Sequence, residues 1–286
     1  MPVSLLDFAY LYATPALVAG VALFLLSRLP GEVVKRFAAS VAFVAAIGVG
    51  YYLGELVDWE ITAHWDWLYY ALLPTVAIAP VLSAQGVSLV ERVLLCCLSA
   101  AVAAWFLVPE ARVLETSREV HLLAWAGGVA LLAVVLQPLP ERLPGLALPL
   151  VLSATLLTAA VVLFLGASLR FSQFAGVGAG AMLGMTLAAA LDRSPGSMRG
   201  IGLPLTILVA GALLVGQVNS YSEVPLLSYA LVPFAPALLW IGAASPWGRG
   251  GGWKQVLLVS LPPLVLLAIA VALAVIAEWP LTGEAY

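Results

Sequence analysis

Residues 146–168 read LALPLVLSATLLTAAVVLFLGAS, a stretch without a single charged side chain. A run of about 20 apolar residues wound as a helix crosses the roughly 30 Å hydrocarbon core of a bilayer. Backbone groups surrounded by lipid must bond within their own segment or within a closed barrel. The apolar residues here are continuous rather than alternating, so the segment is expected to be a helix. Similar runs recur along the whole chain of 286 residues, which is 63% apolar and only 9% charged, with mean hydropathy +1.09. Soluble domains carry about 25% charged residues, so most of this surface is not built for water.

The fold class that follows is an all-α polytopic integral membrane protein of about ten transmembrane helices, with residues 1–286 forming one transmembrane domain. The spans are expected near 8–27, 37–57, 67–84, 89–108, 120–137, 146–168, 172–191, 201–218, 225–243 and 255–277. The first run does not read as a cleavable signal, because its leading residues lack Lys and Arg and include Asp7. The net charge of −3 and the absence of a basic tract give no sign of nucleic-acid binding. Cys96 and Cys97 are adjacent in an apolar run, without metal-ligand spacing, and read as packing residues.

Lys and Arg in the connections set the expected orientation. With the N-terminus outside, Arg28, Lys35, Arg36, Arg92, Arg142, Arg193, Arg199, Arg249 and Lys254 fall inside, and Arg112, Arg118 and Arg170 fall outside. Both termini are then external, in what is taken to be a bacterial inner membrane.

The densest polar stretch lies between two apolar runs: GELVDWEITAHWDWLYY, Gly54 to Tyr70. It holds Glu55, Asp58, Glu60, His64 and Asp66 among Trp59, Trp65 and Trp67. A second patch contains Gln217, Asn219, Ser220 and Glu223. Four short matches relate the two regions in register. Arg28-Leu-Pro-Gly pairs with Arg193-Ser-Pro-Gly, and Gly54-Glu-Leu-Val-Asp with Gly216-Gln-Val-Asn-Ser. Tyr70-Ala-Leu-Leu-Pro pairs with Tyr229-Ala-Leu-Val-Pro, and Arg92-Val-Leu-Leu with Gln255-Val-Leu-Leu, all at offsets of 159 to 165. A parallel internal repeat is expected, with halves 1–118 and 170–286 (spans one to four and seven to ten) around the intervening residues 119–169. The displacement is six helices, an even number, so the halves point the same way across the membrane.

Glu55, Asp58, His64, Asp66, Gln217, Asn219 and Glu223 are the candidate ligand-binding residues, a shallow outward-facing site with aromatic walls. Tyr51, Tyr52 and Tyr221 complete those walls. The competing reading is an interfacial belt, since Trp and Tyr concentrate where headgroups meet water. Glu55 stands out because it is expected inside the last turn of its span, where an ionisable group needs a partner or a polar cavity. His64 and His121 are the two histidines, and no spacing supplies the three or four ligands a metal needs. No metal, cofactor or catalytic residue is assigned, and no enzyme activity is expected. Gly176, Gly180, Gly184 and Ala188 form a small-residue stripe suited to close helix packing. Prolines inside spans, Pro74 and Pro233 above all, free backbone carbonyls and kink helices.

Two functions stay open at this stage. One is a carrier or permeation pathway for a neutral or weakly polar small solute. The other is a non-catalytic subunit or scaffold that meets other membrane proteins. The bilayer is the partner in either case.

Overall fold

The computed structural model describes residues 8–56, 60–84, 86–110, 114, 117–143, 145–192, 198–220, 222–245 and 252–278. Among the described residues there are helices and no strands. In chain order the helices are α1 (Ala9–Arg28), α2 (Glu32–Leu53), α3 (His64–Leu82), α4 (Leu89–Leu107), α5 (Arg118–Arg142), α6 (Ala147–Leu165), α7 (Leu169–Asp192), α8 (Gly202–Val218), α9 (Leu226–Ala244) and α10 (Trp253–Glu278). Nine of them, at 19 to 26 residues, are long and apolar enough to cross a membrane. The exception is α8, whose 17 residues rise about 26 Å at 1.5 Å each. The protein is therefore a multi-pass α-helical bundle of membrane-spanning length.

The shortest helix is also the most enclosed. Apolar on every side, as a helix without a solvent face must be, α8 touches α2, α3, α4, α5, α6, α7 and α9. Beside it runs α7, packed on α1, α2 and α6. Its glycines explain how close it sits to α1. A Cβ added to Gly180 would lie 2.6 Å from the Tyr12 carbonyl oxygen, and one on Gly184 would reach 2.5 Å from the Ala16 carbonyl carbon. Across the same seam, a Cβ on Gly20 would meet the Gly184 carbonyl oxygen at 2.9 Å. Gly180 and Gly184 of the stripe thus meet the α1 backbone and Gly176 meets the Tyr12 ring, so packing supplies what the hydrophobic effect cannot supply in lipid.

Prolines mark the irregular turns. The first turns of α1, Ala9–Ala13, are π-wound, with Thr14 N–H donating to the Ala9 carbonyl just before Pro15. Pro15 has no N–H to offer Leu11, which favours the wider winding. In α9, Pro233 precedes and Pro236 lies within a 3₁₀ stretch, Ala235–Leu238, that divides the helix.

Connections sort to two ends. At one, Arg199 before α8 pairs with Glu141 at 3.0 Å and lies 3.9 Å from Glu32, tying three connections together. At the other, the turn before α3, the first turn of α7 and the residue after α8 come together around His64 and Asp66. We refer to this as the cluster end.

Candidate functional site

The cluster begins with how α2 stops. Leu53 is its last helical residue, Gly54 caps it, and Glu55 takes a left-handed conformation with φ 51°. Glu55 N–H donates to the Tyr52 carbonyl at 3.3 Å and Leu56 N–H to the Tyr51 carbonyl at 3.0 Å. This pair of reversed bonds is a Schellman motif, normally closed by glycine at the left-handed position. The same device ends α6: Ala167 has φ 55°, and Ser168 N–H donates to the Leu163 carbonyl at 3.0 Å. Here the structure differs from the sequence expectation. Glu55 lies beyond the helix rather than inside its last turn, and it is exposed. The glycine before it ends the helix early, so Glu55 does not need a buried partner.

The turn leaves the Leu56 carbonyl aimed at α7. Arg170, in the first turn of that helix, donates to it from Nε at 3.2 Å and from Nη2 at 2.8 Å. The same Nη2 lies 3.9 Å from Asp66 Oδ1. Asp66 is fully buried at the start of α3, the one charged side chain among the buried described residues. Its Oδ2 accepts from Ala63 N–H at 2.9 Å, Thr62 N–H at 3.1 Å and the Thr62 hydroxyl at 3.3 Å, so it closes the turn leading into the helix. Oδ1 has no hydrogen-bond donor among the described residues. Burying a carboxylate is costly unless it is paired and hydrogen-bonded, and the arginine supplies the countercharge.

The second patch joins at one point. Asn219 caps α8, its Nδ2 donating to the Val215 carbonyl at 2.7 Å and lying 3.4 Å from His64 Nε2. Ser220 Oγ donates to the Gly166 carbonyl. Beneath the polar layer, aromatic rings run inward: Trp65 against Phe171 at 5.9 Å, Phe171 against Phe174 at 5.8 Å, and Phe174 stacked on Tyr51 at 4.8 Å. Tyr51 is buried and its hydroxyl donates to the Phe174 carbonyl at 3.4 Å.

The structure therefore brings His64, Asp66 and Asn219 into one cluster. Gln217 turns elsewhere, lining a groove between α5, α8 and α9 together with His121. Glu223 is exposed, its backbone N–H donating to Glu278 Oε1 at 3.1 Å. Asp58, Trp59 and Tyr221 lie outside the described residues. Among the described residues no three His, Cys, Asp or Glu side chains converge as metal ligands.

Sequence reasoning missed Arg170 as the centre of the cluster. The signal was present: it is the only charged residue between Arg142 and Asp192. An isolated ionisable group among apolar runs asks for a partner.

Chemically, the arrangement can bind and brace. It has one buried carboxylate, one guanidinium and one imidazole, and its visible hydrogen bonds hold helix ends together. The fold and this cluster define a polytopic α-helical membrane protein with a polar cluster at one end. No known family's model matches the chain, and no curated protein matches it in sequence.

Proposed function

We propose that the protein is a carrier for a neutral or weakly polar small solute, in a conformation closed at the cluster end. One observation carries this reading. Asp66–Arg170, Leu56–Arg170 and His64–Asn219 each join a residue of 1–118 to a residue of 170–286. A seal that crosses between two halves can open by separating them, and alternating access through such relative motion is how duplicated carriers work. Breaking three polar contacts and parting the aromatic rings beneath would expose a passage between α2, α3, α7 and α8. Solute would approach past Glu55 and Asp66 on one side and Asn219 and Ser220 on the other. In this reading the two halves are parallel copies, and the cluster end faces outward because most cations lie at the other end.

The other reading, a non-catalytic subunit of a larger membrane complex, is favoured by the interior. Thr155 and Thr206 donate to their own helices, Ser172 donates to the Ala160 carbonyl at 2.8 Å, and Ser153 meets Thr186 at 3.1 Å. The first two bonds each stay within one helix and the last two join α6 to α7, so these side chains brace the bundle rather than offer sites.

Gentle extraction from the native membrane, followed by native mass and then uptake of labelled neutral solutes into proteoliposomes, separates the readings. A carrier comes out alone or as a homo-oligomer, and Arg170→Gln, Glu55→Gln and Asn219→Ala alter its flux. Stoichiometric partner chains together with no flux would overturn it.

A further inference from the structure

Two grooves on the lipid-facing surface are built by one motif. On α3 the wall includes Trp67, Tyr70, Ala71, Pro74 and Thr75, and on α9 it includes Leu226, Tyr229, Ala230, Pro233 and Phe234. Each residue of the second set lies 159 positions after its counterpart. The facing walls are unrelated, α4 in one case and α5 with α8 in the other, so the shared lining comes from the Tyr-Ala-x-x-Pro segments themselves. The cavities hold about 290 and 260 Å³. Tyr, Ala and Pro fall on one helix face at this spacing. Each proline withholds the N–H that the tyrosine carbonyl four residues earlier would have accepted.

Position and lining indicate the occupant. Both grooves lie in the half of the bundle nearer the cluster end, within helices of membrane-spanning length and composition. Their rims carry exposed apolar side chains, Leu98 and Phe106 on one and Leu226 and Phe234 on the other. Hydrocarbon surrounds such rims, so whatever fills the grooves arrives sideways and is apolar along its length. Toward the cluster end polar groups appear, His121 and Gln217 at one mouth and the Trp67 and Tyr70 side chains at the other. Rings with a polar tip sit at the headgroup level.

We propose that each groove holds one acyl chain of a phospholipid from the leaflet bordering the cluster end, giving the protein two related lipid sites. The proposal stands apart from the transport reading, since a carrier and a scaffold would both keep these lipids.

The test is photolabelling in vesicles of phosphatidylethanolamine and phosphatidylglycerol, a fraction of which carries a diazirine on one acyl chain, with labelled peptides mapped by mass spectrometry. Gly128→Leu fills the α5–α8–α9 groove, and an added Cβ there meets nothing within 4 Å. Ser99→Leu fills the α3–α4 groove, losing only a bond to the Leu95 carbonyl within its own helix. Each variant is expected to lower labelling at its own groove at least fivefold and leave the other unchanged, which also reports that the protein is folded. Ala124→Leu and Ala71→Leu serve as second fillings of the two grooves. Equal labelling in wild type and all four variants would overturn the proposal. So would wild-type labelling no denser than at Leu257 and Leu261, exposed on α10, or labelling by a diazirine fatty acid but not by the phospholipid.

Discussion

The contact between α1 and α7 makes an identical substitution act with opposite signs at two glycines. Gly→Ala in a helix interior gains about 1 kcal/mol of intrinsic propensity where nothing obstructs the methyl. At Gly128 nothing lies within 4 Å of the added Cβ, so the gain is realised. At Gly184 the added Cβ runs into the Ala16 carbonyl oxygen, with the carbonyl carbon at 2.5 Å and the Cα at 2.8 Å. All three are backbone atoms, so no rotamer change relieves the overlap, and α1 must move off α7 along its length. Overpacking costs typically 1–3 kcal/mol, and an unyielding backbone places this case at roughly 3 or more. After the propensity gain, Gly184→Ala is expected to lose about 2 kcal/mol while Gly128→Ala gains about 1. At roughly 2–4 °C per kcal/mol, thermal unfolding in mild detergent should fall by about 4–8 °C for the first and rise by about 2–4 °C for the second. Gly180→Leu, facing the Tyr12 carbonyl, should impair assembly outright. A Gly184→Ala variant as stable as wild type would refute the backbone contact as the seam between these helices.

Arg170→Met removes the donors to the Leu56 carbonyl and the cation 3.9 Å from Asp66; because the arginine is partly exposed, a loss of about 2 kcal/mol is expected in the same melting assay. Adding Asp66→Asn should recover part of it, since no bare charge then remains; no recovery would show that the ion pair is not the cause. Ala167→Gly places the preferred residue at a left-handed position and should raise stability by about 1 kcal/mol, whereas Ala167→Val should lower it. Trp125→Phe deletes the indole bond to the Ala210 carbonyl at 3.1 Å and should cost about 1 kcal/mol in chemical denaturation, with an unchanged midpoint counting against that bond.

Composition and periodicity made the architecture legible. Every expected span has a helix within a few residues of it, because twenty apolar residues in lipid have no alternative way to satisfy their backbone. The stripe at Gly176, Gly180 and Gly184 was readable as a packing face, but its partner was not, since small residues state only that something comes close. The polar cluster was readable as a place and only partly as an arrangement. Apolar length alone puts Glu55 deeper than Asp66, but the glycine-capped turn ends α2 at Leu53, two residues before Glu55.

What the sequence determined alone is therefore the medium and the secondary structure: a chain this apolar belongs in a bilayer and winds into helices there. What only the tertiary structure decided is which polar groups meet. Arg170 is 104 positions from Asp66 and 114 from Leu56, and Asn219 is 155 from His64. Local spacing carries no information about such pairs. They are set by how α7 and α8 nest among the other helices, which depends on the fit of side chains and backbones across every seam at once.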